Sequence, residues 1–194
     1  MSRAPLIVGL GGTVRPGSTS ETALTRALAA AEAAGARTEL FGGAFLARLP
    51  IFDPRTQARD PERTRFLEAV RSADGLMIAS PGYHGSISGL VKNALDCLED
   101  LRDDERPYLD GRAVGCIVSA SGGQAAGGAL AALRTIVHAL RGWPTPFGAM
   151  LSADKLFDDD GAFCNPRDAW QVETVAAQVV AFAEVWSQVQ VLSR

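Results

Sequence analysis

The sequence predicts an α/β protein in which strands and helices alternate along the chain. Short apolar runs, such as 5–10 and 75–80, are followed by segments whose apolar residues recur three and four positions apart. Continuous apolar runs of strand length are typical of parallel strands, because helices cover both faces of a parallel sheet. A length of 194 residues suits one ordinary domain, and we expect a single domain over 1–194.

The N-terminal half contains three predicted strands, at 5–10, 37–41 and 75–80. Gly35 ends the helix that follows the first strand. A long connection with several prolines follows the second strand and is expected to run over the surface. The buried helix faces of this half are formed by Ala23, Leu24, Ala27, Leu28 and Ala31, and then by Phe66, Leu67 and Val70.

The C-terminal half predicts two further strands, at 113–118 and within 146–151, and three helices. The last helix has start signals at 165–168, where Asn, Pro and Asp are favoured. The apolar stripes of these helices are Leu90, Val91, Ala94, Leu95 and Leu98; Leu130, Leu133, Ile136, Val137 and Leu140; and Val172, Val175, Val179, Val180 and Ala183.

The composition excludes several classes of function. A net charge of −3 provides no broad basic surface for nucleic acid. The apolar stretches are too short for a membrane span and no signal peptide begins the chain, so a cytoplasmic protein is expected. The cysteines form no CxxC pair, which argues against structural zinc and disulfides. The acidic run 158–160 lacks the spacing of a cation loop and is interpreted as a solvated turn, so no metal site is predicted.

The loop after the first predicted strand, GGTVRPGSTSE at 11–21, is suited to a phosphate. It supplies glycines, short hydroxyl side chains, one guanidinium and the start of a helix, all of which bind phosphate groups well. It matches neither GxxxxGK[ST] nor GxGxxG, which disfavours the P-loop and the dinucleotide fingerprint. The alternative is a capping box formed by Ser18 and Glu21, which leaves Arg15 unexplained.

Two further loops follow predicted strands, and in doubly wound sheets ligands bind beyond the carboxyl ends of the strands. SPGYHGSISG at 80–89 carries Tyr83 and His84 at its tip, where a flat heterocycle can contact backbone amides. The alternatives are a subunit-contact aromatic for Tyr83 and an exposed loop residue for His84. SASGGQAAGG at 119–128 allows close backbone approach. No GxSxG elbow is present and His138 lies in a helical pattern, which disfavours hydrolysis.

These segments together resemble the NADPH-dependent FMN reductase family of flavodoxin-like proteins, and the resemblance covers most of the chain. The strongest part lies in the second loop and the helix after it, at Pro81, Tyr83, Ser86, Gly89, Lys92, Asn93 and Asp96. LPIFDP at 49–54 also resembles the family's connection after the second strand. The resemblance implies a three-layer sandwich with a five-stranded parallel sheet in the order 2-1-3-4-5.

The resemblance also implies FMN as cofactor and NADPH or NADH as electron donor. The phosphate would be bound by Thr13, Arg15, Ser18 and Ser20. The edge of the ring would contact Pro81, Gly82, Tyr83, His84, Gly85 and Ser86, and its other side would contact Ser121, Gly122 and Gly123. We assign no catalytic side chain, because the cofactor carries the hydride chemistry.

The sequence departs from the family at three positions, where the family commonly has an acid for Gly82, Asn for His84 and often Asn for Ser20. Lys92 and Asp96 also allow a simpler interpretation as a surface ion pair. The resemblance predicts a homodimer or homotetramer, a small-molecule electron acceptor, and a flavin-dependent monooxygenase as a partner that receives reduced flavin. The alternatives are a flavodoxin-type electron carrier, a quinone or azo reductase with tightly bound FMN, and a regulatory protein without flavin.

Overall fold

The computed structural model describes residues 3–55 and 60–192 of the chain. The strands are β1 (Leu6–Gly11), β2 (Arg37–Phe41), β3 (Gly75–Tyr83), β4 (Ser86–Ile87), β5 (Ala113–Ala120), β6 (Trp143–Pro144) and β7 (Ala149–Ser152). The helices are α1 (Thr19–Ala33), α2 (Gly43–Leu46), α3 (Pro61–Ser72), α4 (Gly89–Asp96), α5 (Gly123–Ala139) and α6 (Pro166–Leu192), with a 3-10 helix at Cys97–Leu101.

The central sheet has the order β2-β1-β3-β5-β6, with β4 paired to β3 and β7 paired to β5. The flavodoxin-like α/β class is confirmed, but the prediction of five strands that are all parallel is wrong. β4 runs antiparallel to β3, and β6 and β7 both run parallel to β5 in the fifth strand position. Pro146 lies between β6 and β7, and a proline cannot donate a hydrogen bond to the ladder. With β4 left aside, the predicted parallel order is retained.

Two apolar cores lie on opposite faces of the sheet. Helices α1 and α6 pack on one face, and α3, α4 and α5 pack on the other. The predicted inner face of α1, from Ala23 to Ala31, is buried, and so is that of α6 from Val172 to Ala183. β5 is buried throughout, and β3 is buried from Gly75 to Pro81. Burial of β3 and β5 on both sides accounts for the continuous apolar runs in their sequences.

The long connection between β2 and α3 contains one element that the sequence pattern missed, the short helix α2. Asn93 of α4 tethers the following segment: its side-chain Oδ1 accepts from the N–H of Phe52 at 2.9 Å, and its Nδ2 donates to the carbonyl of Pro50 at 3.1 Å. Asn93 is therefore a structural residue that orders the loop.

Lys92 and Asp96 form a surface ion pair, as the simpler interpretation of this motif predicted, with 2.6 Å between Nζ and Oδ1.

Two of the three cysteines, Cys97 and Cys116, are buried packing residues. Cys116 is fully buried, and burial raises the pKa of its thiol to about 12. Burial also raises the pKa of the Cys97 thiol, whereas Cys164 is exposed. A thiol that stays protonated is a poor nucleophile. Within 3–55 and 60–192, no helix is both long enough and apolar enough to cross a bilayer.

Candidate functional site

The loop from β1 to α1 places hydroxyl groups at the start of a 15-residue helix. Ser18 caps α1, and its side-chain oxygen accepts from the N–H of Glu21 at 3.4 Å. Ser18 and Ser20 are each 2% exposed, and their hydroxyl oxygens lie 3.5 Å apart. The N–H groups of the first turn of a helix have no partner within the helix. Those of Thr19 and Ser20 have no acceptor in the described part of the chain, so this turn has free donors for an anion.

Glu21 has a different role from the one that a capping box assigns to it. One half of the predicted box is present, because Ser18 accepts from the N–H of Glu21. The carboxylate of Glu21, however, accepts from the N–H of Gly43 at 2.9 Å rather than turning back to Ser18. Glu21 therefore joins the first turn of α1 to the first turn of α2.

A close backbone approach between Gly43 and the phosphate loop was missed by sequence reasoning. A Cβ atom at Gly43 would lie 1.8 Å from the carbonyl oxygen of Thr13, a distance that no side chain tolerates. At Gly12, which has a positive φ of 104°, a Cβ would lie 2.6 Å from the Glu21 carboxylate. The two consecutive glycines that directly follow β2 were the signal in the sequence that this segment packs against other backbone.

Arg15 is the exposed cation of this loop. Its guanidinium has no hydrogen-bond or ion-pair partner among the residues that the structure describes. Its backbone N–H donates to the side-chain oxygen of Thr13 at 3.2 Å, which makes a tight local turn. The Thr13 hydroxyl is therefore partly occupied within the loop, whereas the Arg15 side chain can pair with an added anion.

The second loop is a β-hairpin rather than an irregular turn. β3 continues to Tyr83, and Tyr83 pairs with Ser86 across the tip. The two tip residues, His84 and Gly85, have φ values of 51° and 83°. Positive φ at both central residues is typical of a type I′ turn, in which Asn-Gly is favoured. His, like Asn, is enriched at positive φ, which explains why His84 can stand where the family has Asn.

The departure at Gly82 is explained by the position of helix α5. A Cβ atom at Gly82 would lie 3.1 Å from the Cβ of Ala120 and 3.2 Å from the carbonyl oxygen of Ala125. α5 therefore approaches the hairpin so closely that an acidic side chain at this position would need a shift of the helix. The small residues at the start of α5 allow this approach.

The carboxyl ends of β1, β3 and β5 meet around a cleft of about 620 Å³. This volume lies within the range of small-molecule and cofactor sites. Nine of the predicted site residues line the cleft: Thr13, Arg15, Ser18, Ser20, Pro81, Gly82, Tyr83, Ser121 and Gly122. The lining residues that were not predicted are Val14, Thr19, Ser119, Ala120, Ala125 and Ala153.

Four of the predicted site residues lie outside this lining. His84, Gly85 and Ser86 form the exposed hairpin tip beside Tyr83, and Gly123 begins α5. A Cβ atom at Gly128 would lie 3.2 Å from the carbonyl oxygen of Gly85, so the tip lies against α5. The missed residue Ala153 follows β7, the strand whose position was predicted only within a range.

The lining of the cleft contains few ionisable groups. Arg15 and Tyr83 are its ionisable side chains, and it includes no Asp, Glu, His, Lys or Cys among the described residues. A serine nucleophile needs an adjacent base, and the cleft offers none. The donor set instead suits a phosphate ester at α1, with space for a flat ring between the ends of β3 and β5. Fold and cleft thus define a doubly wound protein with a candidate site for a phosphate-bearing ligand.

Comparison with models of protein families shows to which family of doubly wound proteins the chain belongs. The family model for NADPH-dependent FMN reductase matches residues 5–155, which include every element around the cleft. The chain belongs to the NADPH-dependent FMN reductase family, as the sequence motifs predicted.

Curated relatives are similar over part of the chain, and a solved structure shares the fold. An FMN-dependent NADPH-azoreductase of Staphylococcus haemolyticus is 35% identical over 120 residues, which cover 60% of each chain. The NAD(P)H-dependent FMN reductase PA1204 of Pseudomonas aeruginosa is 33% identical over 104 residues, 53% of each chain. The match thus spans little more than half of the length of these relatives. FerB, a flavoenzyme NAD(P)H:(acceptor) oxidoreductase from Paracoccus denitrificans, shares the fold with a TM-score of 0.71, 20% identity and coverage of 93% of this chain and 98% of FerB.

We predict that Gly43→Ala and Gly127→Ala change stability in opposite directions. The first substitution places a Cβ against the Thr13 carbonyl and should lower the free energy of unfolding by about 1–3 kcal/mol. The second lies within α5, where a Cβ has no atom within 4 Å, and should raise it by up to about 1 kcal/mol. Urea unfolding of both variants measures the difference. Equal stabilities would contradict the close approach between Gly43 and the loop.

Proposed function

We propose that the protein is an NAD(P)H-dependent FMN reductase that transfers a hydride from a nicotinamide to FMN and then passes electrons to a flavin, quinone or azo acceptor. The observation that carries the proposal is that one cleft is lined both by the hydroxyl-rich start of α1 and by the ends of β3 and β5. The phosphate-binding loop alone would fit many phosphate esters. Because the same cleft also has space for a flat ring beside this loop, FMN is favoured over other phosphate esters.

In this proposal the phosphate of FMN binds at the first turn of α1. The hydroxyls of Ser18 and Ser20 and the free N–H groups of Thr19 and Ser20 donate to it, and the partial positive charge of the helix start favours the anion. The exposed guanidinium of Arg15 pairs with the phosphate from the solvent side. These donors need no change of secondary structure to reach a common ligand, because α1 and the loop already hold them together.

The ring of FMN would lie between the ends of β3 and β5 in this proposal. Pro81, Gly82 and Tyr83 contact one side of the ring, and Ser121 and Gly122 contact the other. Tyr83 is 53% exposed at the rim, where its ring can pack against the nicotinamide. When bound, FMN supplies the atom that accepts the hydride and the ring system that passes electrons on. The lack of an acid or base in the lining is compatible with this chemistry, which needs the protein mainly for positioning.

The proposal also covers the electron acceptor, the oligomeric state of the protein and a partner protein. Because a relative is an FMN-dependent NADPH-azoreductase, we favour a small-molecule acceptor such as an azo compound, a quinone or free flavin. A homodimer or homotetramer would cover the exposed rim around Tyr83. A flavin-dependent monooxygenase is a compatible partner if reduced FMN leaves the cleft. The rival is a flavodoxin-type carrier, which would dock a redox protein instead of a nicotinamide.

We predict that the purified protein oxidises NADPH or NADH over many turnovers when FMN is added, without any partner protein. The decrease in absorbance at 340 nm under steady-state conditions measures this rate, with FMN alone and with an azo dye or a quinone present. FMN that binds but is reduced only after a separate reductase is added would indicate the electron carrier. A protein that binds no flavin would support the regulatory alternative.

We predict that Arg15→Ala weakens FMN binding about tenfold, since a charge-assisted hydrogen bond to phosphate contributes about 1.5–3 kcal/mol. Riboflavin lacks the phosphate, and its affinity should be unchanged. Arg15 is a better probe than Ser18, because loss of an N-cap serine itself costs about 1 kcal/mol of stability. Flavin fluorescence titration measures both affinities, and Arg37→Ala, at an exposed cation of β2, is the control. Equal losses for FMN and riboflavin would contradict a phosphate contact.

A further inference from the structure

All three tryptophans of the chain lie at the β6–β7 edge of the sheet, where helix α6 runs beside the last strand. Trp143 of β6 and Trp170 of α6 are each 54% exposed, and the ring of Trp186 lies 6.4 Å from that of Trp143. We call the outward surface of segment 143–152 and of α6 from 170 to 189 the edge face. Exposed tryptophans that share one face are typical anchors of contacts between proteins.

Helix α6 is apolar on its outward side as well as on the side that packs in the core. Trp170, Ala181 and Val185 follow one line along the helix, at spacings of eleven and four residues, and Val185 is 60% exposed. Glu173 and Glu184 are the charged residues between 170 and 189. By the periodicity of a helix, both lie on the side of the line that is away from the sheet. A helix with apolar residues on both sides is expected to be covered on both sides.

The strand side of the edge face offers few free donors to an added strand. The N–H of Phe147 donates to Oε1 of Gln178 at 3.0 Å, and the N–H of Met150 donates to Oε1 of Gln171 at 3.1 Å. Pro146, between these strands, has no N–H to offer. An extended peptide that adds to a sheet edge depends on such main-chain donors. A partner therefore binds the edge face through side chains.

We infer that the edge face binds a second copy of this chain, with the two α6 helices packed antiparallel about a two-fold axis. A two-fold contact uses the same surface on both copies, so that surface must complement itself. The middle of the outward side carries Ala177 and Ala181, and such small residues let two helices approach closely. Antiparallel packing about this point places Trp170 of one copy against Val185 of the partner subunit.

The size of the edge face suits a contact between two copies. Its two segments carry about 20 residues that are not buried, close to the 20–30 residues per partner of a standard interface. From Trp170 to Trp186 the face extends about 24 Å along α6, at 1.5 Å per residue. The half-exposed rings of Trp143 and Trp170 each add about 100 Å² of surface to be buried.

The charge of the edge face also favours a second copy over a lipid surface. Neither segment contains Lys or Arg. Helices that lie on anionic membranes are typically rich in Lys and Arg on their polar side. A copy of the same face brings apolar surface onto apolar surface, and the two glutamates beside the line of apolar residues stay at the rim.

The edge face is separate from the cleft. Of the C-terminal part of the chain, Ala153, which directly follows β7, lines the cleft, and the segments of the edge face do not. A dimer through this face leaves both clefts open, so the inference goes beyond the proposed function and does not depend on it. A second contact, at the rim around Tyr83, would combine with this one into a tetramer with two-fold symmetry.

Sedimentation velocity over a dilution series of the purified full chain tests the inference. Val185→Glu places a charge in the centre of the contact and should weaken self-association at least tenfold, so that the assembly falls to half its mass. Trp170→Ala should do the same by removing an anchor. Ala29→Glu, which adds the same charge at an exposed position of α1, is the control and should resemble the wild type. Far-UV circular dichroism checks that each variant keeps its helices.

A cross-linking experiment tests the two-fold arrangement itself. In a Cys164→Ser background, which removes the exposed native thiol, Ala177→Cys lies close to the proposed axis. Mild oxidation should join two copies of this variant through a disulfide that a reductant cleaves, because the two Cβ atoms face each other across the axis. Ala29→Cys in the same background is the matched control and should stay largely uncrosslinked.

Three results would overturn the inference. One is a wild type that is monomeric throughout the dilution series. Another is an assembly whose mass is unchanged in both Val185→Glu and Trp170→Ala, which would place the contact elsewhere on the chain. The third is a monomer that binds lipid vesicles through this face, with binding lost in Val185→Glu, which would assign the edge face to a membrane surface. Cross-linking of Ala177→Cys no faster than that of Ala29→Cys would reject the antiparallel helix pair.

Discussion

The contact between the first turn of α1 and the Gly42–Gly43 backbone is the constraint on which the cleft depends. Glu21 accepts from the N–H of Gly43, and Gly43 lies so close to the Thr13 carbonyl that only glycine fits there. This contact fixes where α1 begins and how the loop after β1 turns. The hydroxyls of Ser18 and Ser20 and the free N–H groups of the turn take their positions from it.

The cleft that results is formed mainly by backbone and small side chains. Apart from Pro81 and Tyr83, its lining at β3, β5 and the start of α5 is glycine, alanine and serine, and Gly82 lies within contact of α5. A site of this kind recognises a ligand by shape and by hydrogen bonds to main-chain groups, and contributes little acid or base chemistry. This is the division of labour expected when a cofactor performs the reaction and the protein orients it. It also explains why the departures at Gly82 and His84 are compatible with the fold.

The sequence was informative where a local pattern has a single structural solution. The long apolar runs identified β3 and β5, the spacing of apolar residues identified five helices, and the glycine- and hydroxyl-rich segment identified the loop at α1. It was not informative where the structure depends on contacts between distant segments. The division of the fifth strand position into β6 and β7 and the contact of Gly43 with Thr13 both depend on tertiary packing. The bond from Arg26 of α1 to the carbonyl oxygen of Gly161 likewise joins segments more than 130 residues apart. The pairing of β4 with β3 is local, and it was missed because its turn carries His-Gly in place of the favoured Asn-Gly.

The central claim is that the phosphate of FMN binds at the first turn of α1, in the loop fixed by Glu21 and Gly43. A crystal structure of the protein grown with FMN tests it most directly. The account predicts phosphate oxygens within about 3.2 Å of the Ser18 and Ser20 hydroxyls and of the N–H groups of Thr19 and Ser20, with Arg15 turned toward them. FMN bound elsewhere, or bound in the cleft with its phosphate away from α1, would contradict it.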